Sequence, residues 1–230
     1  MSPSAPSPPS PMNAAAFYDV DGTLVSTNVV HNYAYYAMNV PSLTDKVTRT
    51  ASLLASIPFY LVADKIGRKF FNDLFYKNYA GIGEDRLYVL GQEMFDTWIR
   101  AKMYPDMLDL IRRSRAEGYQ QVLLSGALDV IVRPMADFLG VDAWAANRLE
   151  IVDGKATGRL LPPVYAGPEK ANFVRTYAAK NGLDLSLCRA YADSGSDIPM
   201  LSMVGRPVAV NPDTQLLSTA RAHDWPVLNV

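Results

Sequence analysis

Two aspartates stand two positions apart near the N-terminus, Asp19 and Asp21, after a short apolar run and directly before Gly22. Residues i and i+2 of an extended strand project to the same side, so we expect both carboxylates to emerge together where the strand ends. Glycine can turn the chain where a side chain would obstruct it. Two adjacent like charges are unfavourable unless a cation offsets them. The segment therefore indicates a cation site, although an ordinary acidic turn has the same pattern.

Other polar residues stand where later predicted strands end or later predicted helices begin. They are Ser125, Gly126, Lys170, Asp193 and Asp197. Alone, the serine is typical of a helix cap, the lysine of a solvated helix, and the aspartate pair of a polar turn. Ligands of parallel sheets bind at the carboxyl ends of the strands. If the strands are neighbours, all of these side chains therefore converge on one spot.

The chemistry of this set is that of phosphoryl transfer. Carboxylates without histidine or cysteine favour a hard cation, and Mg²⁺ is the expected one. A hydroxyl, an ammonium group and backbone N–H groups at a helix start suit a phosphate. One aspartate can attack phosphorus and form an acyl phosphate. The second can protonate the leaving oxygen and then activate water.

The elements that must position these residues follow two different patterns. The first predicted strand, Ala14 to Asp19, is followed by about four helices between residues 29 and 103, without strand-like alternation. From residue 104 helices and strands alternate, which predicts a mostly parallel, Rossmann-like sheet covered by helices on both faces. One predicted helix begins near Ser42. Its apolar residues, expected to form a buried face, include Leu43, Val47, Leu53, Leu54 and Ile57.

The amino-acid composition limits the cellular compartment and the binding partners that we expect for this protein. A net charge of -1 gives no basic signature, so nucleic acid is not an expected partner. Cys188 is the single cysteine, which excludes an internal disulfide and fits the reducing cytoplasm. Residues 1–12 are rich in proline and serine and are predicted to be a disordered tail. The longest apolar run, 53–63, is about half of the roughly 20 residues that span a membrane, so no integral membrane segment is expected.

Four segments of the chain together resemble the motifs of the haloacid dehalogenase-like (HAD) phosphatases. They are Asp19-Val20-Asp21-Gly22-Thr23-Leu24, Ser125-Gly126, Lys170 and Asp193-x-x-x-Asp197. The helical segment after the first motif and the phrase from Val132 to Asp142 look like the phosphoserine-phosphatase-like branch. The resemblance implies a Rossmann-like core formed by residues 13–28 and 104–230, with residues 29–103 as a cap domain that closes over the substrate.

The resemblance also implies a role for each motif residue. Asp19 would be the nucleophile, Asp21 the general acid and base, and both would ligate Mg²⁺, Asp21 through its carbonyl. Asp193 would be a further Mg²⁺ ligand. Asp197 would not ligate the cation directly and would contact a metal-bound water or Lys170. The residues implied to bind the substrate phosphate are Thr23, Ser125, Gly126 and Lys170. The expected function is Mg²⁺-dependent hydrolysis of a small phosphorylated metabolite through an aspartyl phosphate.

The chain departs from that branch at two positions. Asn28 stands where phosphoserine phosphatases carry a glutamate that holds the substrate ammonium, and Ser196 stands where they often have asparagine. Phosphoserine is therefore a disfavoured substrate.

Three alternatives remain open at this point. They are transfer of the phosphoryl group to another acceptor, a phospho-aspartate receiver, and a membrane-surface binding module that uses Leu53 to Lys69. The oligomeric state does not follow from the sequence.

Overall fold

The computed structural model describes residues 13–40 and 42–230, so the predicted tail at 1–12 lies outside the described residues. The described chain forms a seven-stranded sheet in the order β4-β3-β2-β1-β5-β6-β7. The strands are β1 Ala15–Tyr18, β2 Gln120–Leu128, β3 Ala143–Val152, β4 Lys155–Leu161, β5 Arg189–Ala192, β6 Arg206–Val210 and β7 Val227–Leu228. Neighbouring strands are parallel except β3 and β4, which are antiparallel. The predicted α/β class with a mostly parallel sheet is confirmed.

Strand β1 is the middle of the sheet and fixes where the motifs meet. Its four residues are buried completely, as expected for a strand covered on both faces. Ala16 pairs with Gln121 of β2 on one side and with Arg189 of β5 on the other. The carboxyl ends of β2, β1 and β5 are therefore adjacent, which is the condition under which the predicted site residues come together.

Nine α-helices are described, and the first five lie between β1 and β2. They are α1 Val29–Met38, α2 Leu43–Ile66, α3 Arg68–Phe75, α4 Glu84–Met94, α5 Pro105–Ala116, α6 Asp129–Leu139, α7 Pro168–Asn181, α8 Ile198–Leu201 and α9 Thr214–Ala222. We call residues 29–103 the helical insert. Side chains of Asn28 and Ser42 cap the first turns of α1 and α2, which explains where both helices begin.

Aromatic side chains form the interior of the helical insert. Tyr33, Tyr36, Phe75 and Tyr79 are each at most 2% exposed. Their rings meet at centroid distances between 5.0 and 6.4 Å, mostly edge to face, the geometry that aromatic quadrupoles favour. The interior of the insert is thus aromatic and apolar, and it is continuous with the hydrophobic core of the sheet.

The prediction for the apolar face of α2 was wrong. Leu43, Val47 and Leu54 are 76%, 61% and 62% exposed, whereas Leu53 is buried. The reason is that α2 packs on α1 and α3 along one side only, which leaves the other side of this 24-residue helix uncovered. No helix among the described residues is both long and apolar enough to cross a bilayer.

Backbone hydrogen bonds join the helical insert to the β3–β4 hairpin. The amide of Gly81 donates to the carbonyl of Ala156 at 2.8 Å, and that of Glu84 donates to Gly154 at 2.9 Å. Helix α4 also approaches α6 closely, because a side chain at Gly91 would place its Cβ 2.2 Å from the carbonyl oxygen of Val130. Strand β3 spans Ala143–Val152, and its first half pairs with β2 while its second half pairs with β4.

Candidate active site

A cavity of about 230 Å³ opens where β1, β2 and β5 end. The sequence-predicted residues that line it are Asp19, Asp21, Ser125, Gly126, Lys170, Asp193 and Asp197. On the other side, Asn28 and Val29 at the start of α1 and Asn72 of α3 close the cavity. The fold therefore brings together residues that are up to 178 positions apart, from Asp19 to Asp197, in one place.

Lys170 bridges two of the carboxylates. Its Nζ lies 2.6 Å from Oδ1 of Asp19 and 2.8 Å from Oδ1 of Asp197, and the three side chains are almost completely buried. Burial by itself would lower the pKa of Lys170, but attraction to both carboxylates raises that pKa above its ordinary value. Lys170 is therefore cationic where it contacts Asp19 and Asp197.

Asp193 completes a cluster of acidic groups. One oxygen each of Asp19, Asp193 and Asp197 lies within 4.8 Å of the others. Burial, and then repulsion from the other two carboxylates, raises the pKa of Asp193 from 3.8 to about 8. Among the described residues that line the cavity, Lys170 is the one basic side chain, so the cluster has excess negative charge. A hard divalent cation such as Mg²⁺ fits this oxygen donor set.

The turn after β1 places the second aspartate. The amide of Gly22 donates to the carbonyl of Val25 at 2.8 Å, and the Thr27 hydroxyl donates to Oδ1 of Asp21 at 3.1 Å. Gly22 has a φ of 81°, and a Cβ there would lie 2.1 Å from Oδ2 of Asp193. Only glycine lets this turn approach the third carboxylate so closely.

Thr23 is the one predicted phosphate-binding residue that does not line the cavity. It is completely buried, and its hydroxyl lies 3.4 Å from Oδ2 of Asp19 and 3.3 Å from Oδ1 of Asp193. The structure thus places the Thr23 hydroxyl next to the carboxyl groups of Asp19 and Asp193, where it can orient them. The expected contact between Thr23 and phosphate stays a prediction.

The predicted phosphate-binding loop is an irregular part of β2. Pairing with β3 shifts register between Leu124 and Leu128, and pairing with β1 ends at Leu123. The backbone at Ser125 and Gly126 is consequently free of the regular ladder on the β1 side. The amide of Ala127 donates to Oγ of Ser125 at 3.0 Å, so the serine hydroxyl keeps its own proton for donation to a ligand.

Sequence reasoning missed two residues that hold this loop. The carbonyl of Gly126 accepts one hydrogen bond from the hydroxyl of Tyr76 and one from Nδ2 of Asn147, both at 2.7 Å. Oδ1 of Asn147 accepts from the amide of Tyr165 at 2.7 Å, in the loop that leads to Lys170. A buried asparagine in an apolar strand was a usable signal for Asn147, but Tyr76 is one tyrosine among many.

Comparison with known proteins agrees with the motifs. The family model of the haloacid dehalogenase-like hydrolases matches residues 16–202. This chain belongs to that family. Phosphoserine phosphatase SerB1 of Mycobacterium tuberculosis is 34% identical over 228 residues, which are 96% of this chain and 72% of that protein. This HAD protein is an enzyme of the phosphatase type, so the receiver and the binding-module interpretations are set aside.

Two solved structures show the same fold as this HAD phosphatase. A protein of unknown function from Bordetella pertussis Tohama I has a TM-score of 0.80 at 23% identity and covers 94% of this chain and 98% of its own. A phosphoserine phosphatase in its apo form has a TM-score of 0.69 at 19% identity, with 94% and 92% covered. At such identities the two structures support the fold, and the chemistry must be argued from the residues of this chain.

Proposed function

We propose that this HAD phosphatase is a Mg²⁺-dependent phosphomonoester hydrolase that acts on a small phosphorylated metabolite through an aspartyl phosphate on Asp19. The observation that carries the proposal is the bridge from Lys170 to Asp19 and Asp197 inside a cavity that Ser125 also lines. This bridge holds the buried carboxyl group of Asp19 next to an ammonium group and near groups that can bind phosphate oxygens, an arrangement that suits a carboxylate nucleophile.

In the first half of the reaction, a carboxylate oxygen of Asp19 attacks phosphorus and the bond from phosphorus to the ester oxygen breaks. Asp21 gives its proton to that oxygen, so the alcohol leaves neutral. The hydrogen bond from Thr27 fixes the orientation of the Asp21 carboxyl group. The product of this half is the alcohol and an acyl phosphate on Asp19.

In the second half, Asp21, now ionised, takes a proton from water, and the water oxygen attacks phosphorus. The bond from phosphorus to the Asp19 oxygen breaks, which releases inorganic phosphate and restores both aspartates. The Ser125 hydroxyl and the Gly126 amide each donate a hydrogen bond to a phosphoryl oxygen, and Lys170 supplies positive charge.

Asp19, Asp193 and the main-chain carbonyl of Asp21 are the groups that we assign to Mg²⁺. When bound, the cation supplies positive charge that offsets the charge of the transferring phosphoryl group. Asp197 is paired with Lys170 at 2.8 Å and so acts beside this set, as positioning support for the lysine.

The same proposal includes the division of the chain. Residues 13–28 and 104–230 would form the catalytic core, and the helical insert would be a cap domain that limits access of water to the cavity. Val29 and Asn72 of the insert line that cavity together with the core residues, which supports this division. The free thiol of Cys188 agrees with the cytoplasmic location that we propose.

Phosphoserine is not the substrate that we propose, although a relative carries the name phosphoserine phosphatase. Oδ1 of Asn28 accepts hydrogen bonds from the amides of Val30 and His31, both at 3.0 Å, and so caps α1. At this position the chain offers a neutral amide where a carboxylate would be needed to pair with a substrate ammonium group.

Hydrolysis of phenyl phosphate, with and without Mg²⁺, tests the function. We expect turnover that requires the cation, and loss of at least about 10³-fold in Asp19→Asn, since the nucleophile is removed. Asp106→Asn, an exposed aspartate of α5, is the matched control and should keep full activity. Absence of turnover on phenyl phosphate and on a broad panel of phosphorylated metabolites would refute the proposal. Glycerol added as a competing acceptor distinguishes hydrolysis from phosphotransfer.

A further inference from the structure

Among the described residues of the helical insert, one buried polar side chain faces the cavity. Asn72 of α3 is 3% exposed and lines the cavity. Within the described chain, its Nδ2 has no acceptor at hydrogen-bonding distance. A buried amide donor without a partner is unfavourable, and such groups are rare in folded proteins. The position therefore points to a ligand that supplies the acceptor.

The geometry of α3 fixes the direction of this side chain. Asn72 and Tyr76 are four residues apart, so they lie on the same face, one turn from each other. Tyr76 directly follows α3, and its hydroxyl donates to the carbonyl of Gly126 at 2.7 Å, which holds the C-terminal end of α3 against the phosphate-binding loop. Asn72 is thereby directed into the same cavity from the insert side.

The two sides of the cavity have different chemistry. Asp19, Ser125 and Lys170 belong to the core, so a phosphoryl group that reacts with Asp19 lies on the core side. The organic part of the ester must then extend toward the insert, where Asn72 and Asn28 stand. Among the described residues lining the cavity, the insert contributes the neutral amide of Asn72 and the apolar Val29, and no carboxylate.

We propose that Asn72 is a specificity-determining residue, whose Nδ2 donates a hydrogen bond to an uncharged oxygen of the leaving group. This inference rests on the proposed function and adds a substrate class to it: phosphomonoesters of polyols or related alcohols that carry a hydroxyl, ether or carbonyl oxygen. A site built to donate a hydrogen bond discriminates against analogues that lack the acceptor, because its buried donor is then left unpaired.

The test uses two substrates of similar shape, glycerol phosphate and its analogue in which methyl groups replace the two hydroxyls. We expect the wild-type enzyme to favour glycerol phosphate in kcat/KM by about tenfold, and Asn72→Leu to abolish that preference. Asn72→Ala is a second variant, for the case that leucine is too large for the site. It should also reduce the preference for glycerol phosphate. Asn32→Leu is the matched control, because Asn32 is also a buried asparagine of the insert with an unpaired amide but does not line the cavity. It should keep the preference.

Inhibition by inorganic phosphate distinguishes the two sides of the cavity. If Asn72 contacts the leaving group, Asn72→Leu leaves the inhibition constant of phosphate within about twofold of the wild-type value. Equal losses on both substrates, weaker phosphate inhibition in Asn72→Leu, or no wild-type preference for glycerol phosphate would each overturn the inference. Failure of the proposed function is a different result, since wild-type protein would then turn over neither ester nor phenyl phosphate.

Discussion

The hydroxyl of Tyr76, in the helical insert, donates a 2.7 Å hydrogen bond to the carbonyl oxygen of Gly126, in the loop of β2 that we propose binds phosphate. The same oxygen accepts from Asn147 of β3 at 2.7 Å. The loop that would contact the transferring phosphoryl group is thus held from two directions, by the sheet and by the insert. Because catalysis depends on donors placed in advance, we expect both contacts to affect the rate.

Tyr76→Phe removes one of these contacts and keeps the aromatic packing. We expect kcat/KM to fall about 3- to 10-fold, the value of one hydrogen bond, with little change in thermal stability. Tyr35→Phe is the matched control, because the Tyr35 hydroxyl is on the insert and contacts only the exposed Thr97 among the contacts described for it. Equal activity of Tyr76→Phe and wild type would show that the insert does not tune the loop.

Asn147→Leu should have a larger effect, because Asn147 is completely buried and ties Gly126 to Tyr165. We expect a loss of about 1–3 kcal/mol in unfolding free energy, measured by urea denaturation, together with a lower kcat. Asn181→Leu changes an exposed asparagine whose amide bonds within α7, and it should leave both quantities near wild type. A normal kcat in Asn147→Leu would contradict the positioning role.

Gly22→Ala tests the close approach of the first turn to Asp193. The added Cβ would lie 2.1 Å from the Asp193 carboxylate, and the φ of 81° is unfavourable for alanine. We expect kcat/KM to fall by about 100-fold, because displacement of a reacting group by about 1 Å has effects of that size. Gly182→Ala separates the two causes, since Gly182 has a φ of 63° but no atom near the added Cβ. It should cost about 1 kcal/mol of stability and no activity.

The raised pKa of Asp193 predicts how stability depends on pH without metal. In the unfolded chain this carboxyl group titrates near 3.8, and in the folded protein at about 8. Between these values the folded state retains a proton that the unfolded state has lost, so stability falls as pH rises through this window. In the presence of a chelator, we expect the urea concentration at the unfolding midpoint to decrease as the pH is raised from about 5 to about 8. Asp193→Asn should make this decrease smaller.

Added Mg²⁺ gives the complementary result. A cation held by Asp193 favours the ionised carboxylate, so Mg²⁺ should raise the urea midpoint of wild type more at about pH 8 than at about pH 5. Asp193→Asn should lose most of this gain. If Mg²⁺ raised the urea midpoint of wild type and of Asp193→Asn by the same amount at each pH, the assignment of Asp193 as a ligand of the cation would be contradicted.

Much of the fold and of the site could be predicted because the relevant signals are local. A buried apolar strand that ends in Asp-x-Asp-Gly predicts where β1 stops, and parallel topology then predicts that the ends of β2 and β5 lie beside it. The structure places Ser125, Lys170 and Asp193 there. Their roles in catalysis stay predictions.

The features that were not predicted depend on tertiary contacts. Periodicity marks α2 as amphipathic, but it does not show that α1 and α3 cover only one side, so the exposure of Leu54 was missed. The complete burial of Thr23 in the turn after β1 was also not predicted. Asn72 lines the cavity and Tyr76 contacts Gly126 only because α3 and the residue after it lie over this end of the sheet, and a single sequence does not report that contact.

Trapping of the phosphoenzyme tests the central claim most directly. Enzyme is mixed with excess phenyl phosphate and Mg²⁺, quenched in acid within the first turnovers, digested and analysed by mass spectrometry. The account predicts one added phosphoryl group on Asp19, removed by hydroxylamine as expected for an acyl phosphate and missing in Asp19→Asn. A phosphoryl group on Ser125 that resists hydroxylamine, or full turnover by Asp19→Asn, would contradict it.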